Sequence, residues 1–191
     1  MPVDRTLSVT ATPTLVWNGA NDITATMAYA QTASVPNMPN VVDRRTGQID
    51  LSKLPSNANY TSNVDIMITL DASALRDRSG NSIPAQWGAA SLDPQIPPPG
   101  GHWSGVPPKT PWAWFCANPP ANSPTYDTTP ILIPNMIAIR NSDSVVFIDD
   151  NAAIGTGNYT FCLGLVLLLG GGNRYFITID PTIIGKGIGG H

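Results

Sequence analysis

Two histidines, two cysteines and thirteen acidic residues, every one an aspartate, are the groups on which catalysis or metal binding would rest in this chain. His102 lies in Gly101-His102-Trp103-Ser104-Gly105. That string approaches the G-x-S-x-G elbow of serine hydrolases, but its serine falls one place late and stands in a proline-rich stretch instead of a strand-to-helix turn. His191 ends a glycine-rich tail. No motif supplies a nucleophile with a base in reach, so no catalysis is expected. Asp149-Asp150-Asn151, with Asp143 nearby, is the densest set of oxygen ligands. Calcium takes about six to eight oxygens, often from groups of this kind at strand ends, which makes Asp149 and Asp150 the candidate metal ligands. The spacing is not that of an EF-hand, and the same side chains cap turns with no metal at all. Trp103, Trp112 and Trp114, with Trp87 and His102, surround the proline-rich stretch. Indole faces stack on the CH faces of sugars while carboxylates and amides take the hydroxyls. Trp103, Trp112, His102, Asp149, Asp150 and Asn151 are therefore the candidate ligand set. Indoles also fill cores and anchor protein interfaces, and both alternatives stay open at this point.

Cys116 and Cys162 are too few and too far apart for a zinc site built on C-x-x-C pairs. Each lies in an aromatic–apolar run, Trp114-Phe115-Cys116 and Phe161-Cys162-Leu163, which suits buried thiols or a bridge between facing strands.

The elements that must position these groups are β-strands. Charged residues make up 12% of the 191 residues, against about a quarter in ordinary domains, and glutamate is absent. With the polar helix formers so scarce, helical bundles and coiled coils are excluded. A net charge of −3 offers no basic surplus for nucleic acid. Period-two alternation recurs instead. Thr6 to Ala11 and Leu15 to Trp17 read as two strands split by Pro13, and Ile23 to Tyr29 as a half-buried strand. Val64, Ile66, Ile68 and Leu70 share one face of the first strong core strand, and Asp71 is placed to cap a short helical turn after it. The prolines and glycines of 93–111 predict a long loop through which no ladder runs. Further strands follow at Trp112 to Cys116, Ile131 to Ile133, Met136 to Arg140 and Ser144 to Ile148. The longest, Tyr159 to Leu169, turns at Gly170-Gly171-Gly172-Asn173 into Tyr175 to Ile179.

About nine or ten short strands separated by Pro/Gly turns predict an all-β chain with very little helix, an antiparallel β-sandwich with jelly-roll or Greek-key connections. Residues 1–60 read as N-terminal strands and a loop extension packing on the main domain, and 61–191 as the β-sandwich core with its proline-rich loop at 93–111. The start lacks the n- and h-regions of a signal peptide, and the run Leu163 to Leu169 is less than half the roughly 20 residues of a membrane helix. A cytoplasmic protein, or one exported without a recognisable signal, is expected, with no membrane or nucleic-acid partner.

Three segments resemble the PixA/AidA inclusion-body protein family of bacteria. They are Val64-Asp65-Ile66-Met67-Ile68-Thr69-Leu70-Asp71, then Ser142-Asp143-Ser144-Val145-Val146-Phe147, then the closing hairpin from Tyr159-Thr160-Phe161 through Tyr175-Phe176 to Asp180-Pro181-Thr182-Ile183-Ile184. The similarity covers some 50 residues, and Ile179 stands where that family has a tryptophan before Asp-Pro. It implies a β-sandwich and a non-enzymatic protein that accumulates or assembles in the cell. Low charge with many Thr, Asn and Ser and a mean hydropathy of −0.01 points the same way, to a surface suited to packing against copies of itself. The expectation is a self-associating structural protein without a cofactor. The alternative is a lectin-like, carbohydrate-binding module, calcium-dependent if Asp149 and Asp150 hold a cation.

Overall fold

The computed structural model describes residues 1–19, 22–54, 57–88, 101–104, 113–116, 130–131, 136–140, 144–150, 158–171, 173–179 and 182–184. Asn151 and Trp112 lie outside these, as do Asp143 and His191. The described residues are mostly β and form two sheets. The described strands are β1 Val3–Asn18, β2 Asp22–Val35, β3 Ile49–Asp50, β4 Tyr60–Leu70, β5 Ala85–Trp87, β6 Gly101–Ser104, β7 Ala113–Cys116, β8 Pro130–Ile131, β9 Met136–Arg140, β10 Val145–Asp150, β11 Asn158–Gly170, β12 Asn173–Ile179 and β13 Thr182–Ile184. A single 3-10 turn, Leu51–Lys53, is the one helical piece among the described residues, and the Asp50 side chain caps it by accepting from Ser52 N–H.

The first sheet runs β2-β1-β4-β10-β9, and the second β3-β13-β11-β12-β6, with β5 and β7 also on β11 and β8 on β7. Alternation decides which residues of the first sheet enter the core. Leu7, Val9 and Ala11 of β1 are buried, as are Ile23, Met27 and Tyr29 of β2 and Val64, Ile66, Ile68 and Leu70 of β4. From the second sheet Phe161, Leu163, Leu165, Leu167, Tyr175 and Ile177 join the same cluster, and Trp87 sits in it with no exposed surface. Val166 is buried as well, so β11 is covered on both faces, which suits its almost unbroken apolar run.

Several sequence expectations are corrected. β1 does not split at Pro13. Asp71 N–H donates to Ala11 O, so the main-chain groups of Ala11 point toward β4, and those of Pro13 two residues on point the same way. The β1–β4 ladder ends at Ala11↔Leu70, so the donor that proline lacks falls where β1 has only β2 as a neighbour. Asp71 starts no helix. Its carboxylate accepts from Ser73 N–H and Ser73 Oγ, the bond an N-cap would make, while Leu75 and Ile83 join into a small hairpin around Asp77. The pairing is not antiparallel throughout, because β1 and β4 run parallel, as do β3 and β13. A ladder also enters the 93–111 stretch. β6 pairs with β12 within the proline-free window between Pro99 and Pro107, where every residue keeps its N–H.

At the β11–β12 turn, Gly170 and Gly171 have φ of 82° and 58°, values that need glycine.

Candidate functional site

The described candidate residues stand on two different sheets. On β6, a terminal strand of the second sheet, His102 pairs with Tyr175 and Trp103 with Arg174. β6 also lies against β2 of the first sheet. Asp149 and Asp150 are in the body of the first sheet, on β10, between β4 and β9. There Asp149 is in register with Asp65 and Ile137, and Asp150 with Val64 and Met136. The register therefore sets Asp149 and Asp150 in a paired ladder instead of a free loop. Val64 in turn pairs with Arg5 of β1, so Arg5, Val64 and Asp150 occupy one row across three strands. Arg5 is only 2% exposed, a cation placed in the core that no sequence motif announced. Among the described residues, no three His, Cys, Asp or Glu side chains gather as a metal-binding group.

Of the tryptophans grouped around the proline-rich stretch, Trp87 is a core residue, its Nε1–H donating to Ser144 O at 3.1 Å. Trp17, at the far end of β1, carries the Arg78 guanidinium 5.4 Å from its ring centroid. Cys116 pairs with Thr160, and Cys162 with Trp114, on the adjacent strands β7 and β11. That diagonal corresponds to about 7–8 Å between α-carbons, wider than a disulfide spans.

Four further aspartates, Asp43, Asp50, Asp71 and Asp77, organise turns. Asp43 accepts from Thr46 N–H at 2.7 Å, Thr46 Oγ1 at 2.8 Å and Arg45 N–H at 3.0 Å. These donors, Thr46 N–H foremost, hold its carboxyl below the usual range. Asp77 is lowered first by Asn81, whose side chain and N–H both donate to it, and then by Ser79 and Gly80. Ser73 does the same for Asp71, and Ser52 followed by Lys53 for Asp50. Each of these carboxylates has local donors that account for its charge, so turn chemistry explains them without a metal ion.

What the sequence reading missed is the outward face of the first sheet. β1 presents Thr6, Ser8, Thr10, Thr12, Thr14 and Val16 on it, alternating with its buried residues. β2 brings Thr26, Ala28 and Ala30 opposite Thr14, Thr12 and Thr10, and β4 brings Met67 and Thr69 opposite Ser8 and Thr10. Val16 is 46% exposed, Val35 53% and Met67 40%, three of the large apolar side chains that the described surface leaves in water. Among the described outward positions of these three strands there is no lysine or arginine, and Asp4, Asp22 and Asp65 stand toward the ends. The signal was present as T-x-T-x-T in β1, once Pro13 is allowed to remain in the strand.

No family model, curated protein or solved structure matches this chain. Among the described residues, no helix is long and apolar enough to cross a membrane.

Proposed function

We propose that this chain is a non-catalytic β-sandwich protein, its two sheets joined by jelly-roll or Greek-key-like connections, whose copies associate into a cellular inclusion or larger assembly. The observation that carries the reading is the sheet surface of threonine, alanine, valine and methionine without a cation, on a chain with 12% charged residues. Surfaces that keep proteins apart normally intersperse lysine, arginine, aspartate and glutamate. The similarity to inclusion-body proteins supports the same reading.

Light scattering of the purified chain across a concentration series, with and without calcium, tests it. Growth in mass that ignores calcium is the expected result. A monomer of 20.2 kDa at every concentration overturns it.

The second reading, a carbohydrate-binding module, draws support from β6, a sheet-terminal strand that carries His102 and Trp103 in succession. Glycan-array binding abolished by a chelator, and lost in Trp103→Ala, would favour it over self-association.

A further inference from the structure

We propose that the outward face formed by β2, β1 and β4 is the contact between two copies of this chain, packed face to face. The inference rests on the self-association reading above and says where that association happens.

An exposed sheet meets its own copy by an edge or by a face. The β2 edge is already occupied. Ile23 N–H donates to Tyr175 Oη at 3.2 Å, and Tyr29 N–H to Arg44 O at 2.8 Å. Further along, the Gln31 amide donates to Met38 O and Pro39 O and accepts from Val41 N–H. These bonds pin the 38–44 segment and Tyr175 along the edge, at both ends of the Thr24–Ala28 stretch. The run left between them is short against the Thr6–Asn18 length of the β1–β2 ladder, so an added strand would find few bonds to make.

The face offers the opposite. Its centre is Thr10, which pairs with Ala30 on one side and Thr69 on the other, with Met67 one step along β4. A cationic partner would bury its charge against neutral hydroxyls and methyls, and an acidic partner would meet the carboxylates of Asp4, Asp22 and Asp65 around the rim. A neutral partner of threonine, alanine and exposed valine or methionine fits, and the same face of a second copy has that texture. Two such faces pack as aligned sheets do, with strands crossing at about 30°.

The area sets the strength. The β1–β2 ladder runs from Thr6 to Asn18. Three strands about 4.8 Å apart and about 40 Å long give roughly 600 Å² per copy, or about 1,200 Å² in total. That is the lower limit for a stable interface, so the pair is reversible and concentration-dependent. Its rim is acidic on both copies. Salt, by screening that repulsion, should tighten it.

The experiment is sedimentation or light scattering of the full chain at several concentrations, for the wild type, Thr10→Arg, Met67→Lys and the control Ser79→Arg. Met67→Lys covers the case in which Thr10→Arg fails to fold, because Met67 is 40% exposed and tolerates a long side chain. Ser79 is an exposed turn residue of the Leu75–Ile83 hairpin. That hairpin lies on the other side of the first sheet, since its Arg78 packs on Trp17, which alternates with the outward Val16. Its substitution adds the same single charge away from the face. The wild type and Ser79→Arg are expected to associate alike, with association about tenfold or more weaker in the two face variants, because each brings a long charged side chain into a neutral contact that must shed its water. High salt should strengthen wild-type association. Face variants that associate as the wild type does would overturn the face assignment and leave self-association standing. Weakening by salt would also overturn it, since that marks a contact held by ion pairs. A monomeric wild type would overturn both.

Discussion

The two sheets solve the burial problem differently. In the first, β1, β2 and β4 alternate, apart from a bulge at Thr32 of β2, with Leu7, Val9 and Ile66 inward and threonines outward, so that each strand is half core and half surface. In the second, β11 is covered on both faces: Leu163, Leu165 and Leu167 are buried, and so is Val166 between them. β11 is also paired on both sides, with β12 and β13 along one and β5 and β7 along the other. One sheet supplies the hub on which many short strands close. The other supplies a broad, plain surface. Both sheets feed the one core, but the outward face of the first, where association is proposed, carries none of that core's side chains.

That division can be broken most strongly at the hub. Trp87→Ala should lower unfolding free energy by about 3–5 kcal/mol, because it empties a fully buried site and strips Ser144 O of one of its donors. A drop of about 2–4 °C in Tm per kcal/mol is the readout. The sharper comparison is one substitution made twice. Val166→Thr should cost about 1–3 kcal/mol in urea unfolding, for a hydroxyl placed in a covered face, while Val16→Thr on the open face should stay within about 0.5 kcal/mol. Equal effects at the two positions would mean that the second face of β11 is wet.

Glycines give a smaller contrast. Gly47 has φ of +71°, and a Cβ there would come within 2.6 Å of the Tyr29 ring. Gly80, at φ +83°, faces open space. Gly80→Ala should cost about 1–2 kcal/mol for backbone conformation alone, and Gly47→Ala more than that, because the buried Tyr29 ring must move as well. Tyr175→Phe should cost about 1 kcal/mol and speed amide exchange at Ile23, leaving the other ladders unchanged.

The smallest effect is on acid stability. Asp43, Asp71 and Asp77 have pKa values lowered in the folded protein, so what they contribute is fully present above the unfolded value near 3.9 and is lost as pH falls through the folded values. Urea midpoints should decline below about pH 4, and Asp77→Asn should flatten part of that decline. An unchanged slope in the variant would show that the Asp77 turn is equally formed in the unfolded chain.

The long alternating strands were legible because burial on one face writes itself into every second residue, as at Val64, Ile66, Ile68 and Leu70. Features set by distant neighbours were not. Pro13 reads locally as a breaker, and only the end of β4 makes it harmless. Asp71 binds Ser73 in the same way whether a helix or a turn follows. The parallel β1–β4 pair leaves no local trace, since both strands alternate as an antiparallel pair would. The threonine face is silent in the sequence because single threonines carry no chemistry, and their meaning lies in the register that lines them up. Trp103, His102, Asp149 and Asp150 stand out by residue type, and type does not say which sheet or which row a residue joins.

The bond from Ile23 N–H to Tyr175 Oη has a consequence for synthesis. Its two partners are 152 residues apart. At about 5–20 residues per second, a ribosome makes the strand that needs closing roughly 8–30 seconds before the hydroxyl that closes it. During that interval the Ile23 end of the β2 edge lacks its closing partner, while the 38–44 segment that binds Tyr29 and Gln31 is already made. Slow translation of the C-terminal half lengthens the exposure, and fast completion ends it.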